Sequence, residues 1–146
     1  MLSSSCKYGI RAVTYIASKS KNKEKVGLKQ ISEDLKLPTP FLAKILQLLA
    51  KQKILSSTKG PHGGFSLLKD AKDITIMDII ITIDGRDLFD NCLLHNTTCK
   101  CVMENKMACP LHVEYAGIRN KVIQMFSKNN IENLVKVLGK SNEIVI

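Results

Sequence analysis

The segment Lys59-Gly60-Pro61-His62-Gly63-Gly64 constrains the fold of this 146-residue chain most tightly. Its proline lacks a backbone donor and its glycines favour turns, so no helix crosses it. Short apolar runs flank it, Ile54-Leu55-Ser56-Ser57 before and Phe65-Ser66-Leu67-Leu68 after. That pattern predicts an antiparallel hairpin with a glycine-rich tip. The residues upstream have a different period. Ile10, Val13, Ile16 and Ala17 recur at helical spacing, with Ser3 to Ser5 as N-cap candidates, and predict a helix over 5–19.

Residues 19–25 read as a charged, solvated connector. A second short helix is expected over 28–36, from Ile31 and Leu35 one turn apart. The break Leu37-Pro38-Thr39-Pro40 ends it and opens a third over 40–53, with Thr39 as its cap. Phe41, Leu42, Ile45, Leu46, Leu48 and Leu49 give that helix one broad apolar face. The order of helix, helix, tight turn, helix and hairpin is that of a winged helix-turn-helix. The expected class is mainly α with a small β-hairpin wing and a long C-terminal helix. Thr75-Ile76-Met77-Asp78 resembles a capping box that opens a short helix to about Ile83. Residues 84–108 read as loop, followed by a long helix from Pro110 to about Ser127 and an amphipathic segment over Ile131 to Leu138. Three units follow: 1–83 as the winged helix-turn-helix, 84–108 as a cysteine-rich loop, and 109–146 as the C-terminal helices.

Charge is divided along the same line. Residues 1–72 carry 14 Lys and Arg against 4 Asp and Glu, a net +10. The remainder carries 8 against 9, a net −1, which leaves the chain at +9. Clustered positive charge on a helix-turn-helix favours a polyanion such as double-stranded DNA, through counterion release. The expected recognition helix presents Ala43, Lys44 and Gln47 to base edges, and Lys51 to phosphates. Thr39 and Pro40 bring its first turn to the backbone; Lys59, Gly60, His62 and Gly63 form the wing contact. No nucleotide-binding loop and no nucleophile–base set is present, so an enzyme is not expected. Neither a leader segment nor a membrane-length apolar run is visible, and the expected location is the cytoplasm.

These stretches resemble a known family. Lys7-Tyr8-Gly9-Ile10-Arg11, the helix pair from Gln30-Ile31-Ser32 to Phe41-Leu42, the wing through Phe65, and Cys109-Pro110-Leu111-His112 carry the likeness. The family is that of the bacterial iron–sulfur cluster assembly regulator (IscR), the nitric-oxide-sensing repressor and the cysteine-metabolism repressor. The resemblance implies a homodimer built on the long C-terminal helix. It also implies a regulator, commonly a repressor, that reads a palindromic operator with two winged helices.

Four of the five cysteines lie within residues 92–109, spaced Cys92-x6-Cys99-x1-Cys101-x7-Cys109-x2-His112. Thiolates suit iron–sulfur clusters or zinc. With Pro110 opening the helix, Cys109 stands as its N-cap, where the helix dipole favours a thiolate. His112 falls about one turn on, and His95 is a spare candidate inside the loop. The resemblance implies a 2Fe–2S cluster on Cys92, Cys109 and His112, with Cys99 or Cys101 as the middle ligand. Zinc, or a metal-free thiol switch, remains the alternative. In another branch the residue before the first-helix tyrosine is a carboxylate ligand; here it is Lys7, which cannot serve, and Cys6 reads as a buried thiol.

Overall fold

The computed structural model describes residues 2–19, 24–95, 97–104 and 109–138, and the backbone but not the side chains of 101–103. Helix α1, Ser4–Lys19, is the hub of the fold. Ser3 caps it: its hydroxyl accepts from the Cys6 amide at 3.0 Å, satisfying one free donor of the first turn. Cys6, Ala12, Val13 and Ile16 are fully buried, and α1 packs against the third, fourth and last helices and the second strand.

Helices α2, Leu28–Leu35, and α3, Thr39–Lys51, form the expected pair. The turn between them is closed by Lys36 in the left-handed region, φ 52, whose amide bonds back into α2. The Arg11 guanidinium donates to the Leu35 carbonyl at 3.2 Å and satisfies an acceptor that the helix end leaves free. Thr39 does not cap α3. Pro38 holds the cap position, and the Thr39 hydroxyl pairs with Ser32 at 2.6 Å, tying the two helices together. Leu42, Ile45, Leu46 and Leu49 enter the core as expected. Phe41 does not: it is 41% exposed and meets Tyr8 edge to face, because it sits at the rim of the stripe.

The hairpin consists of β1, Leu55–Thr58, and β2, Gly64–Leu67, paired antiparallel from Leu55 with Leu67 to Thr58 with Gly64. Val26 extends it by exchanging two hydrogen bonds with Phe65, at 2.8 and 2.9 Å. A single 3-10 turn, Ala71–Asp73, leads to α4, Ile76–Asp84. The expected capping box is complete, with the Asp78 amide donating to the Thr75 hydroxyl at 3.1 Å and the Thr75 amide to the Asp78 carboxylate at 2.9 Å.

Residues 84–108 are not plain loop. They include α5, Asp87–Asp90, and α6, Cys99–Glu104, each too short to carry a readable period. Helix α7, His112–Lys128, starts two residues after Pro110 with Leu111 at the cap. None of its residues is fully buried, while α8, Ile131–Leu138, returns to α1 and places Ile131 in the core. No helix among the described residues is long and apolar enough to cross a membrane.

Candidate DNA interface and metal centre

On α3, Thr39, Pro40, Lys44, Gln47 and Lys51 are exposed and Ala43 is half-buried. Lys44, Gln47 and Lys51 follow at spacings of three and four, which makes them one stripe along the solvent face. Residues 35–69 contain six lysines and no acidic residue. Among the described residues, Lys44, Lys51, Lys53 and Lys59 enter no ion pair with a carboxylate. Their charge is therefore not neutralised within the chain, and the potential over this surface is positive.

At the wing tip, Lys59, Gly60 and His62 are exposed and Gly63 is half-buried. The Gly63 amide donates to the Gly60 carbonyl at 2.9 Å and closes the turn. A Cβ at Gly63 would stand 2.2 Å from the Thr58 carbonyl oxygen, so the tip admits only glycine there. Gly64 has φ +150 and lets the backbone pass against Val26.

The second place of interest lies where the 84–108 segment meets α7. A hydrogen bond joins the Cys92 amide to the Thr97 carbonyl at 2.8 Å, and residues 93–95 form a bend. The bend turns Leu93 and Leu94 outward, at 54% and 56% exposure, and Cys92 inward. The Cys92 sulfur is 3.6 Å from that of Cys109 and 3.2 Å from His95 Nδ1. The three ligand atoms lie within 4.8 Å of one another. Cys99 packs in the same small cluster but faces elsewhere. Its sulfur accepts from Arg119 of α7 at 3.1 Å and lies 3.8 Å from the Asn91 carbonyl. The side chain of Cys101 is outside the described residues. Cys6, as expected, is a buried thiol distant in sequence, pushed up to about 12 by burial and then by Asp84.

The protonation pattern is the reverse of the helix-cap expectation. Cys109 is not an N-cap; it gives its carbonyl to the His112 amide at 3.0 Å. Burial first, and the neighbouring Cys92 next, raise its thiol above the ordinary range. Cys92 is the group that is lowered, to about 6, chiefly by its hydrogen bond with His95 and next by the Leu94 backbone. One thiolate beside one thiol is what two sulfurs at this distance support.

Of the sequence-derived ligands, the structure thus gathers Cys92 and Cys109, leaves Cys99 alongside, and does not bring His112 into the three-atom group. His112 is half-buried and its Nδ1 has no hydrogen-bond partner. His95 takes the place beside Cys92. A signal for it exists in the chain, since Cys92-x2-His95 repeats the spacing of Cys109-x2-His112. Arg119 carries no such local signal, because its partner lies 20 positions away.

Comparison with known proteins matches this architecture. Residues 2–137 fit the model of the Rrf2 family, described as an iron-dependent transcriptional regulator. An HTH-type transcriptional regulator of Aquifex aeolicus is 31% identical over 96% of this chain and 94% of its own. The structure of CymR, the global cysteine regulator of B. subtilis, superposes with a TM-score of 0.75 at 20% identity, over 94% of this chain and 97% of that one. IscR of T. potens superposes with a TM-score of 0.69 at 20% identity, over 98% and 91%. The chain belongs to the Rrf2 family of DNA-binding transcriptional regulators and is not an enzyme.

Proposed function

We propose that this regulator acts as a homodimer that reads a palindromic operator and represses from it. Its affinity is set by the state of the cysteine segment. In this reading residues 1–83 bind DNA, 84–108 sense, and 109–146 carry dimerisation. The observation that carries it is the Cys92–Cys109 pair, set at the start of a helix with an unpacked outer face. Two thiolates bound at about 2.3 Å to one tetrahedral ion stand about 3.8 Å apart. The measured 3.6 Å therefore fits a thiolate-ligated metal.

Cys92, Cys99 and Cys109, with an imidazole, would hold a 2Fe–2S cluster, and the family's iron-dependent description supports that choice over zinc. Such a group supplies a centre whose charge and ligation change with oxidant or iron supply. The chain's own residues do the rest. Arg119 bonds both Cys99 and the Asn91 carbonyl, at 3.1 and 3.4 Å, so a shift of Cys99 pulls on α7. Along α7, Ile118 and Met125, seven residues apart on one side of the helix, are 61% and 49% exposed and begin an apolar face that suits the same helix of a second copy. Moving α7 then changes the separation of two winged helices and the fit to two half-sites. The same 3.6 Å separation also favours a second reading, a metal-free switch in which Cys92 and Cys109 give two electrons and two protons to a peroxide, which is reduced to water, and join as a disulfide.

Thr39, Pro40, Ala43, Lys44, Gln47 and Lys51 are the groove and backbone contacts in this reading, with Lys59, Gly60, His62 and Gly63 from the wing. Anoxic purification with iron, sulfide and zinc analysis tests the cofactor. About two irons and two sulfides per chain are expected, with colour lost in Cys92→Ala and Cys109→Ala. A colourless protein after reconstitution overturns the cluster in favour of zinc or thiol oxidation. On selected duplex DNA, Lys51→Ala and Lys59→Ala should each reduce the slope of log K against log salt by about 1 per protomer.

A further inference from the structure

The base of the hairpin ends on two lysines. Strands β1 and β2 pair as far as Leu55 with Leu67, and the Leu68 amide, donating to the Ile54 carbonyl at 3.1 Å, adds one more rung. The next residue on each side is a lysine, Lys53 before β1 and Lys69 after β2, and both are exposed. Like charges brought together across an antiparallel pair are destabilising. Lys53 is unfavourable for a second reason. Its amide donates to the Ala50 carbonyl and the Ile54 amide to the Leu49 carbonyl, both at 3.0 Å, a helix ending that glycine favours. Lysine adopts it here at φ 60, in the left-handed region that side chains disfavour. Among the described residues neither lysine enters an ion pair, and Asp70, the carboxylate next to Lys69, lies 3.8 Å from Lys72 instead. The negative end of α3 favours a cation at this place, and Lys51 in its last turn already supplies one.

We propose that Lys53 and Lys69 clamp a phosphate of the DNA backbone at the base of the wing. The inference rests on the reading of α3 and the wing as the DNA face, and extends that face beyond the recognition stripe and the wing tip. Position argues for duplex DNA as the occupant. Lys51 closes the stripe of Lys44, Gln47 and Lys51, and Lys53 follows it by two residues, so the pair continues the stripe. Lys59 marks the other end of β1. At ~3.3 Å per strand residue, the six positions from Lys53 to Lys59 span roughly 20 Å. A duplex carries a negative charge every ~1.7 Å of its axis, so it offers phosphates at both ends of the hairpin at once. Two flexible ammonium groups suit phosphate oxygens, where a bidentate fork would suit a base edge. In the free chain the pair repels; a phosphate between the two ammonium groups turns that repulsion into attraction.

The test uses the full chain, with fluorescence anisotropy on two labelled duplexes, one selected from random sequence and one of unrelated sequence, over a series of KCl concentrations. Lys53→Gly and Lys69→Gln should each lower the slope of log K against log salt by about 1 per protomer, equally on both duplexes, because a phosphate contact carries no sequence information. Lys69→Arg, which keeps the charge, should keep the slope, and Lys128→Gln at the end of α7 should match the parent. Without DNA, the urea midpoints of Lys53→Gly and Lys69→Gln should equal or exceed that of the parent, since repulsion is relieved in both and backbone strain in the first. A structural role for the pair predicts the opposite: lower midpoints with unchanged slopes, and that result overturns the clamp. Slopes lowered on the selected duplex alone overturn the phosphate assignment in favour of a base contact. Unchanged slopes in both variants overturn the clamp and leave the DNA face standing. A parent chain whose affinity for both duplexes is independent of salt overturns the clamp together with the reading of that face.

Discussion

A thiol held near pH 6 is a thiolate at neutral pH, and Cys92 is such a group while Cys109 is not. The sign follows from the cause: the His95 hydrogen bond favours the charged form, so Cys92 ionises as pH rises through about 6. In the reduced, metal-free chain, alkylation of Cys92 by iodoacetamide should climb between about pH 5 and 7, and that of Cys109 only in alkaline solution. His95→Ala should move the Cys92 curve to higher pH. Coincident curves for the two cysteines, read by peptide mass spectrometry, would contradict the asymmetry. At this scale the sequence shows that Cys92 and Cys109 matter, because soft ligands cluster visibly. It does not show which imidazole joins them. The spacing Cys-x2-His occurs twice, and among the described residues the bend over 93–95 distinguishes the first copy.

Proline and glycine mark the element boundaries of the first domain. Lys36–Pro38 separates α2 from α3, and Lys59–Gly63 separates β1 from β2, as the chain chemistry requires. Gly63→Ala should be costly for a reason of space, since its Cβ would meet the backbone oxygen of Thr58 at 2.2 Å. The wing tip must then open, and affinity for a selected duplex should fall about tenfold or more, near the ~1–3 kcal/mol cost of comparable overpacking. An unchanged affinity by fluorescence anisotropy would contradict the fit of the tip.

The ends of α2 and α3 were less legible, because the residues of positive φ there are Lys36 and Lys53 rather than glycine. Lysine there carries roughly 1 kcal/mol of strain. Lys36→Gly, at an exposed position, should therefore raise stability by up to ~1 kcal/mol in urea unfolding. Destabilisation instead would show that the cap depends on the lysine side chain. Helices α5 and α6 escaped the sequence reading because four and six residues hold less than two turns.

At the scale of the whole molecule, two properties coexist: a basic N-terminal half and a long helix that buries none of its own residues. The charge division was legible from counting alone, whereas the way α8 returns to α1 and leaves the outer face of α7 open was not. That face borders an apolar concavity of about 420 Å³, lined among others by Leu2, Tyr115, Ile118, Val122 and Met125. A charge placed there should prevent a second α7 from docking. Ile118→Asp is expected to be monomeric by analytical ultracentrifugation and to lose operator affinity about 30-fold or more, the loss of one interface hot spot. A dimer that survives this change would move the interface away from α7.

In the proposed regulator, DNA affinity follows the state of the cysteine segment. Its most direct test is the affinity of one chain preparation for one palindromic duplex, selected from random sequence, measured by anisotropy with the cofactor loaded and then after anoxic chelation. The two states should differ by about tenfold or more, a coupling of ~1.4 kcal/mol, and Cys92→Ala should abolish the difference. Equal affinity in the two states would contradict it, and would leave a DNA-binding regulator whose cysteines do not govern its binding.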